Sequence, residues 1–207
     1  MSTSKAKVYI VEDDASFSDS METLLSISGF EVETFACGFT FLTDAEISYP
    51  GCLLLDVKLP DIDGLHLQQC LRNKGSILPI VFMTGHGSIP MGVKAIKKGA
   101  IDFLAKPFKP EELLQAVDEA IERNCADMHQ LREKDQINEL IKTLTPREKE
   151  VLTWVITGQL NKQIAYELGT KEKTIRVHRS RMMQKLKASS VAELVRLAQK
   201  AGISPAV

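Results

Sequence analysis

Acidic, hydroxyl and amino side chains follow apolar stretches at four separate places in the chain. They are Glu12 with Asp13, then Asp56, Thr84 and Lys106. Three clustered carboxylates repel one another unless a cation lies among them, and oxygen ligands with room for water and phosphate suit Mg²⁺. A carboxylate can accept a phosphoryl group, and a metal ion with a lysine can neutralise the oxygens of that group. These residue types predict a magnesium site where Asp56 accepts a phosphoryl group and Thr84 hydrogen-bonds it.

Alternating apolar runs and amphipathic stretches would bring these side chains together. The predicted strands cover residues 8–11, 31–35, 52–56, 79–84 and 101–105, and the predicted helices cover residues 15–28, 39–42, 65–72, 89–98 and a stretch from residue 110. Such alternation predicts an α/β doubly wound five-stranded parallel sheet. The carboxyl ends of parallel strands share one edge, and ligands bind in the crevice there. Because the candidate residues all follow strand ends, we expect them to converge.

Each candidate residue also has a plain structural interpretation, as a turn carboxylate, a strand-end threonine or a surface lysine. The coincidence of all four strand ends favours the functional interpretation. Aspartyl-phosphate chemistry also occurs in haloacid-dehalogenase-like phosphatases, which carry an Asp-x-Asp motif after an apolar strand. Position 58 of this chain is Lys, so the second Asp of that motif is missing and this alternative is weak.

Composition is that of an ordinary soluble protein, with 44% hydrophobic and 26% charged residues. No apolar run approaches the roughly 20 residues that span a bilayer, and the N-terminal residues lead into a strand without a signal-peptide core. We therefore expect a cytoplasmic protein with no membrane partner. The four cysteines form no CxxC pair, so we expect free thiols without a disulfide or a metal site.

The net charge of −1 hides an asymmetry along the chain. Residues 1–120 hold 10 basic and 17 acidic side chains, whereas residues 143–207 hold 12 basic and 5 acidic ones. Such a split indicates two domains, of which the second binds a polyanion. Residues 123–142 have high helix propensity and contain no Gly or Pro. They are predicted to be a helical linker between domains at 1–122 and 143–207, with a solvated spacer as the alternative.

The second domain is predicted to consist of four short helices joined by tight turns. Capping-box patterns begin at Thr145 and Ser190. Residues 161–187 have helix-turn-helix form, with Asn161 and Thr170 as the predicted caps of the two helices. The later helix of that pair is rich in basic residues: Lys171, Lys173, Arg176, Arg179, Arg181, Lys185 and Lys187. Its apolar positions fix one face inward, so the cationic face suits a recognition helix in the major groove of DNA. A merely solvated helix is the alternative.

Residues 5–122 resemble the receiver domain of response regulators, which is flavodoxin-like, and the stretch 83–103 is particularly close to the FixJ type. The motifs that carry the resemblance are Glu12-Asp13, Asp56, Lys58-Leu59-Pro60-Asp61-Ile62-Asp63-Gly64, Thr84-Gly85-His86-Gly87, Gly99-Ala100 and Lys106-Pro107-Phe108. The resemblance implies that a sensor histidine kinase phosphorylates Asp56. It also implies that Asp13, Asp56 and the Lys58 backbone carbonyl bind Mg²⁺ directly, while Glu12 acts through a water molecule.

The same resemblance implies a switch. Lys106 would pair with the phosphoryl group, and Thr84 would move toward that group. Phe103 would then reorient behind Thr84. The helix from Ile89 and the fifth strand would then form the face of a homodimer.

One position departs from the pattern of many receivers. The acidic pair is Glu12-Asp13 where many members have Asp-Asp, and a further carboxylate, Asp14, follows. Asp14 is therefore an alternative inner ligand, although the spacing from the first strand favours Asp13.

Residues 143–203 resemble the LuxR/NarL-type output domain. The motifs that carry this resemblance are Leu144-Thr145-Pro146-Arg147-Glu148, Gly158, Asn161-Lys162, Ile164-Ala165, Leu168, Thr174-Ile175-Arg176-Val177-His178-Arg179 and Lys185-Leu186. In that family the residues matching Arg176, Val177 and Ser180 would face bases. Those matching Lys173, Thr174, Arg179 and Lys185 would face phosphates, and the fourth helix would dimerise.

The two resemblances together imply a two-component transcriptional regulator of the FixJ/NarL family, and cover nearly the whole chain. Phosphorylation would promote dimerisation and binding to paired sites in promoter DNA, with RNA polymerase as a further partner and enzymatic turnover limited to the phosphoryl group itself. Regulators of aromatic-compound catabolism share this layout, and a styrene-pathway regulator is one candidate. The alternatives are a phosphorelay module, or an aspartyl-phosphate phosphotransferase with a helical cap and no DNA target.

Overall fold

A computed structural model of the chain describes residues 6–48, 50–85 and 100–206. The strands are β1 (Lys7–Val11), β2 (Glu31–Phe35), β3 (Gly51–Asp56), β4 (Ile80–Thr84) and β5 (Asp102–Ala105). The described helices are α1 (Ala15–Ile27), α2 (Gly38–Asp44), α3 (Gly64–Asn73), α4 (Pro110–Lys142), α5 (Pro146–Val155), α6 (Asn161–Glu167), α7 (Glu172–Lys185) and α8 (Val191–Lys200). The helix predicted at 89–98 lies outside the described residues.

The five strands are parallel and lie in the order β2-β1-β3-β4-β5. This order confirms the predicted α/β doubly wound sheet of flavodoxin-like type. The order reverses between β1 and β3, and in such sheets the carboxyl ends of the two strands at the reversal form a crevice. Glu12 follows β1 and Asp56 ends β3. Both carboxylates therefore stand at the crevice.

The central strand β3 is apolar because both of its faces are covered. Every residue of β3 is buried. Leu53 and Leu55 pack with side chains of α2 and α3 on one face of the sheet, whereas Cys52 and Leu54 pack with α1 and α4 on the other. Burying a leucine side chain stabilises a fold by about 2 kcal/mol. The two apolar layers thus fix the strand that ends in Asp56.

The loop after β3 is held close to Asp56. The Asp63 carboxylate caps α3 by accepting a hydrogen bond from the Leu65 backbone N–H at 2.8 Å. A Cβ atom on Gly64 would lie 2.5 Å from the Asp56 carbonyl oxygen, well inside normal contact. Glycine is therefore needed at this close approach of the two backbone segments.

Helix α4 runs without interruption from Pro110 to Lys142. The predicted helical linker is thus confirmed as helix. Asn124, fully buried, accepts a hydrogen bond from the Gly51 N–H at 3.0 Å and donates one to the Ile77 carbonyl at 3.2 Å. These bonds connect the helix to the first residue of β3 and to the segment that precedes β4. Contacts divide the chain into two compact units, Met1–His129 and Gln130–Val207.

The second unit contains the four helices α5 to α8, as predicted. Its core combines Val151 and Leu152 of α5 with Ile164 of α6, Ile175 of α7 and Leu194 of α8, all of them buried. Gly158 and Gly169, which end the first two helical segments, have φ values of +86° and +58°. Such values favour glycine, so the turns follow directly from the sequence.

Two helix caps inferred from the residue pattern are wrong by one position. Leu160 and Lys171 stand at the N-cap positions of α6 and α7, where Asn161 and Thr170 were expected. The Asn161 side-chain carbonyl instead accepts a hydrogen bond from Arg179 at 2.9 Å. A contact between helices has therefore replaced the local cap. In the part of the chain that the structure describes, no helix has the length and apolar character needed to cross a bilayer.

Candidate functional site

Three carboxylates meet at the carboxyl edge of the sheet. Glu12, Asp13 and Asp56 each place one carboxylate oxygen within 4.8 Å of the other two. Glu12 and Asp56 are buried, whereas Asp13 is exposed to solvent. The cluster is thus open on the Asp13 side and closed by the sheet on the other.

Lys106 supplies the positive charge of this site. It follows β5, and its Nζ lies 2.5 Å from Glu12 Oε2 and 2.6 Å from Asp56 Oδ2. Its backbone N–H donates to the Thr84 carbonyl at 2.8 Å, which anchors the lysine beside β4. The lysine predicted from its position after the fifth strand therefore does reach both carboxylates.

Burial and hydrogen bonding shift the pKa values of Glu12 and Lys106. Burial raises the pKa of the Glu12 carboxyl, and the hydrogen bond from Lys106 offsets part of that effect. Burial alone would lower the pKa of the Lys106 ammonium, but its hydrogen bonds to Asp56 and Glu12 outweigh this and raise the pKa. The lysine thus stays charged between two acidic partners.

The structure distinguishes Asp13 from Asp14. Asp14 is the N-cap of α1, where its Oδ1 accepts a hydrogen bond from the Phe17 N–H at 3.1 Å. Among the described residues, the carboxylate grouped with Glu12 and Asp56 is that of Asp13. Asp13 therefore belongs to the carboxylate site, whereas Asp14 caps α1.

The remaining predicted site residues surround Asp56. The Lys58 backbone N–H donates to Asp56 Oδ1 at 2.9 Å, while the metal contact of its carbonyl stays a prediction. Thr84 ends β4 and is buried. Phe103, on β5, is half-buried and packs against the apolar cluster beneath the sheet. The sheet thus brings Thr84 to the same edge as Asp56, whereas Phe103 lies further back, opposite Phe82 in the register of β4 and β5.

The donor set fits a small, hard cation. Mg²⁺ prefers oxygen ligands and retains several waters, and it is commonly bound through one or two carboxylates plus phosphate. Here the buried carboxylate of Asp56 lies beside the exposed carboxylate of Asp13, so water and phosphate can reach an ion between them. The residues present are therefore compatible with Mg²⁺.

The predicted DNA-contacting residues all lie on α7. Lys173, Arg176, Val177 and Ser180 are exposed, and Thr174, Arg179 and Lys185 are half-buried. Arg176 pairs with Glu172 one turn earlier, at 3.3 Å. Exposed pairs of this kind are weak, so Arg176 remains able to reach another partner.

Lys185, like Arg179, has its charged group hydrogen-bonded inside the domain. Its Nζ donates to Glu148 Oε2 at 2.6 Å and to the Thr143 carbonyl at 3.0 Å. The Glu148 side chain is 3% exposed and also accepts from the Thr145 N–H at 2.9 Å. Sequence reasoning missed this role of Glu148, although the capping-box pattern marked the residue.

Two known protein families match separate parts of the chain. The family described as "Response regulator receiver domain" matches residues 8–118. The family described as "Bacterial regulatory proteins, luxR family" matches residues 142–198. This chain is a response regulator with a luxR-type DNA-binding domain. Both family resemblances predicted from the sequence are confirmed.

Individual relatives agree with this response-regulator assignment over nearly the full length. The chain is 41% identical over 200 residues to the response regulator protein TodT of Pseudomonas putida, covering 97% of this chain and 88% of TodT. A solved structure of the response regulator StyR is 45% identical with a TM-score of 0.82, covering 95% of this chain and 100% of StyR. The solved structure of full-length FixJ from B. japonicum is 39% identical with a TM-score of 0.59, and the match covers 97% of this chain and 98% of FixJ. The likeness to StyR is in keeping with the styrene-pathway candidate.

Proposed function

We propose that this response regulator accepts a phosphoryl group on Asp56 from a cognate sensor histidine kinase, with Mg²⁺ as cofactor. The observation that carries the proposal is the meeting of Glu12, Asp13 and Asp56 with the Lys106 ammonium at the crevice of the sheet. Three acids and one amine from three strand ends form the constellation that phosphoryl transfer to a carboxylate needs.

The metal-binding roles follow from the same residues. Asp13, Asp56 and the Lys58 carbonyl would hold Mg²⁺ directly, and Glu12 would act through water. The ion, when bound, supplies charge that stabilises the phosphoryl oxygens. Glu12 supports this arrangement from a buried position, where its contact with Lys106 keeps that lysine at the site.

Transfer joins a carboxylate oxygen of Asp56 to phosphorus. The bond between phosphorus and the histidine nitrogen of the kinase breaks, and the released imidazole takes up a proton. The Lys106 ammonium already contacts Asp56 Oδ2 at 2.6 Å, so it neutralises charge on the phosphoryl oxygens without a large displacement. Turnover of the phosphoryl group at this site is the only catalysis that we propose.

The switch begins at β4. Thr84 hydrogen-bonds a phosphoryl oxygen and moves toward it, and Phe103 then reorients on β5. The two residues belong to neighbouring strands, since β4 and β5 pair in parallel register. The resulting change promotes a homodimer, and the dimer binds paired sites in promoter DNA.

The proposed domains are a receiver at 1–122, a helical linker at 123–142 and a DNA-binding domain at 143–207. Helix α7 enters the major groove, with base contacts from Arg176, Val177 and Ser180. The proposed phosphate contacts are Lys173, Thr174, Arg179 and Lys185. The regulator acts on promoters in the cytoplasm, where its DNA lies, and RNA polymerase is its further partner in activating transcription.

The proposal is tested by footprinting the full chain across genomic DNA with and without a small phosphodonor. Acetyl phosphate with Mg²⁺ is expected to raise occupancy at a limited set of paired sites, because phosphorylation favours the dimer. Occupancy should fall steeply with added salt, since basic side chains displace counterions from DNA. Identical footprints in the two conditions, or binding without sequence preference, would contradict the proposal.

Replacing Arg176 by Ala is expected to weaken binding to the preferred site by about fivefold to a hundredfold, because a base contact is worth about 1–3 kcal/mol. Binding to scrambled duplex should change much less. Fluorescence anisotropy on the two duplexes measures both affinities.

The matched control for Arg176 is Arg181→Ala. Arg181 is also an exposed arginine on α7, and it lies outside the proposed contacts. Its removal should lower both affinities alike. Equal loss of selectivity in the two variants would reject the base-contacting role of Arg176.

A further inference from the structure

The Lys106 ammonium is enclosed by three groups in the described part of the chain. Two are the carboxylates of Glu12 and Asp56. The third is the ring of Phe17, whose centroid lies 4.4 Å from Lys106 Nζ. The negative face of an aromatic ring attracts a cation at this distance. The lysine side chain is 17% exposed, so the ring takes the place of water on one side of the ammonium.

Phe17 is itself held from several directions. Its backbone N–H donates to the capping carboxylate of Asp14 in the first turn of α1. Its ring meets the ring of Phe108 edge to face, with centroids 5.6 Å apart and planes at 71°. The ring also packs against the apolar cluster between the sheet, α1 and α4. A ring fixed in this way can restrict the neighbouring lysine.

We propose that Phe17 is a positioning residue that holds the Lys106 ammonium toward Asp56 and thereby speeds phosphoryl uptake. The inference rests on the proposed function of Asp56. A lysine side chain samples many rotamers, and the hydrogen bond from the Lys106 backbone N–H to the Thr84 carbonyl fixes the main chain without fixing the ammonium. A ring that covers one side of the ammonium leaves it directed at the carboxylates. The charge is then in place where the phosphoryl oxygens arrive.

The test compares Phe17→Leu, which keeps an apolar side chain without a π face, with Phe17→Tyr, which keeps the ring. The matched control is Phe30→Leu, because Phe30 is also half-buried against the same apolar cluster, whereas the ring over the Lys106 ammonium is that of Phe17. The rate constant for labelling by acetyl phosphate at saturating Mg²⁺ is followed by intact-protein mass spectrometry. Phe17→Leu should be about threefold to tenfold slower, and the other two variants should stay within about twofold.

A second measurement reads the contact in the unphosphorylated protein. The ring current of Phe17 should shift the NMR signals of the Lys106 ε-methylene protons upfield, and Phe17→Leu should remove that shift. An unshifted signal in the unmodified protein would overturn the inference. So would a Phe17→Leu variant that is labelled as fast as the unmodified protein, or a Phe17→Tyr variant as slow as Phe17→Leu. No labelling of the unmodified protein would overturn the proposed function of Asp56, and this inference with it.

Discussion

Asp56→Asn is expected to reduce labelling by acetyl phosphate, or by the cognate kinase, to background. The amide lacks the anionic oxygen that must bond to phosphorus, and no other described residue at the site combines burial with contacts from both Lys58 and Lys106. The amide has the same shape, and its oxygen can still accept from one of these donors. We therefore expect the domain to fold, with a change in stability of about 1 kcal/mol.

Intact-protein mass spectrometry measures the label, and circular dichroism checks the fold. The matched control is Asp19→Asn, because Asp19 is an exposed carboxylate on α1 outside the cluster. Its label should equal that of the unmodified protein. Stoichiometric labelling of Asp56→Asn would assign the phosphoryl group to another residue.

The geometry of this site could be predicted because it depends on strand ends. Glu12, Asp56, Thr84 and Lys106 each follow an apolar run, and a parallel sheet must bring the carboxyl ends of such runs to one edge. Once the strands were assigned, the meeting of these residues at one edge of the sheet could be predicted. The meeting of Lys106 with Glu12 and Asp56 is its direct outcome.

The side chains that act between elements could not be predicted in the same way. In the sequence, Phe17 is one apolar position of the helix predicted at residues 15–28, and only the packed structure shows its ring beside Lys106. The sequence is equally compatible with Asn161 as a local helix cap, but in the structure its side-chain carbonyl accepts a hydrogen bond from Arg179 of the next helix. A sequence pattern reports neighbours along the chain, whereas these contacts depend on the angle between packed elements.

Lys185 shows the same limit at the proposed DNA interface. A basic residue on a basic helix predicts a phosphate contact, but here the ammonium pairs with Glu148 of α5. The pairing does not test the phosphate contact, which stays a proposal. It does give Lys185 a structural role that a DNA-binding measurement alone would overlook. A variant of Glu148 tests the structural role by itself, because Glu148 is buried and lies outside the proposed DNA contacts.

Glu148→Ala is expected to destabilise the DNA-binding domain by about 2 kcal/mol. The change removes one half of the capping box with Thr145, worth about 1 kcal/mol, and leaves the Lys185 ammonium without its carboxylate. Lys185 is 35% exposed, so water offsets part of the second loss. Trp154 is the single tryptophan of the chain and packs against the core of this domain. Its fluorescence during urea unfolding reports the midpoint.

Acid should reduce the difference in the free energy of unfolding between the unmodified protein and Glu148→Ala. The hydrogen bond from Lys185, followed by that from the Thr145 backbone, lowers the pKa of the Glu148 carboxyl below the usual glutamate value. A carboxyl whose pKa is lower in the folded state adds stability above its unfolded pKa, and this is lost as the pH falls through the folded pKa. The control is Glu150→Ala, whose exposed pair with Arg147 should contribute less than about 1 kcal/mol. An equal loss in both variants at neutral pH, or a Glu148→Ala deficit that stays undiminished in acid, would show that the Glu148–Lys185 pair does not stabilise the domain.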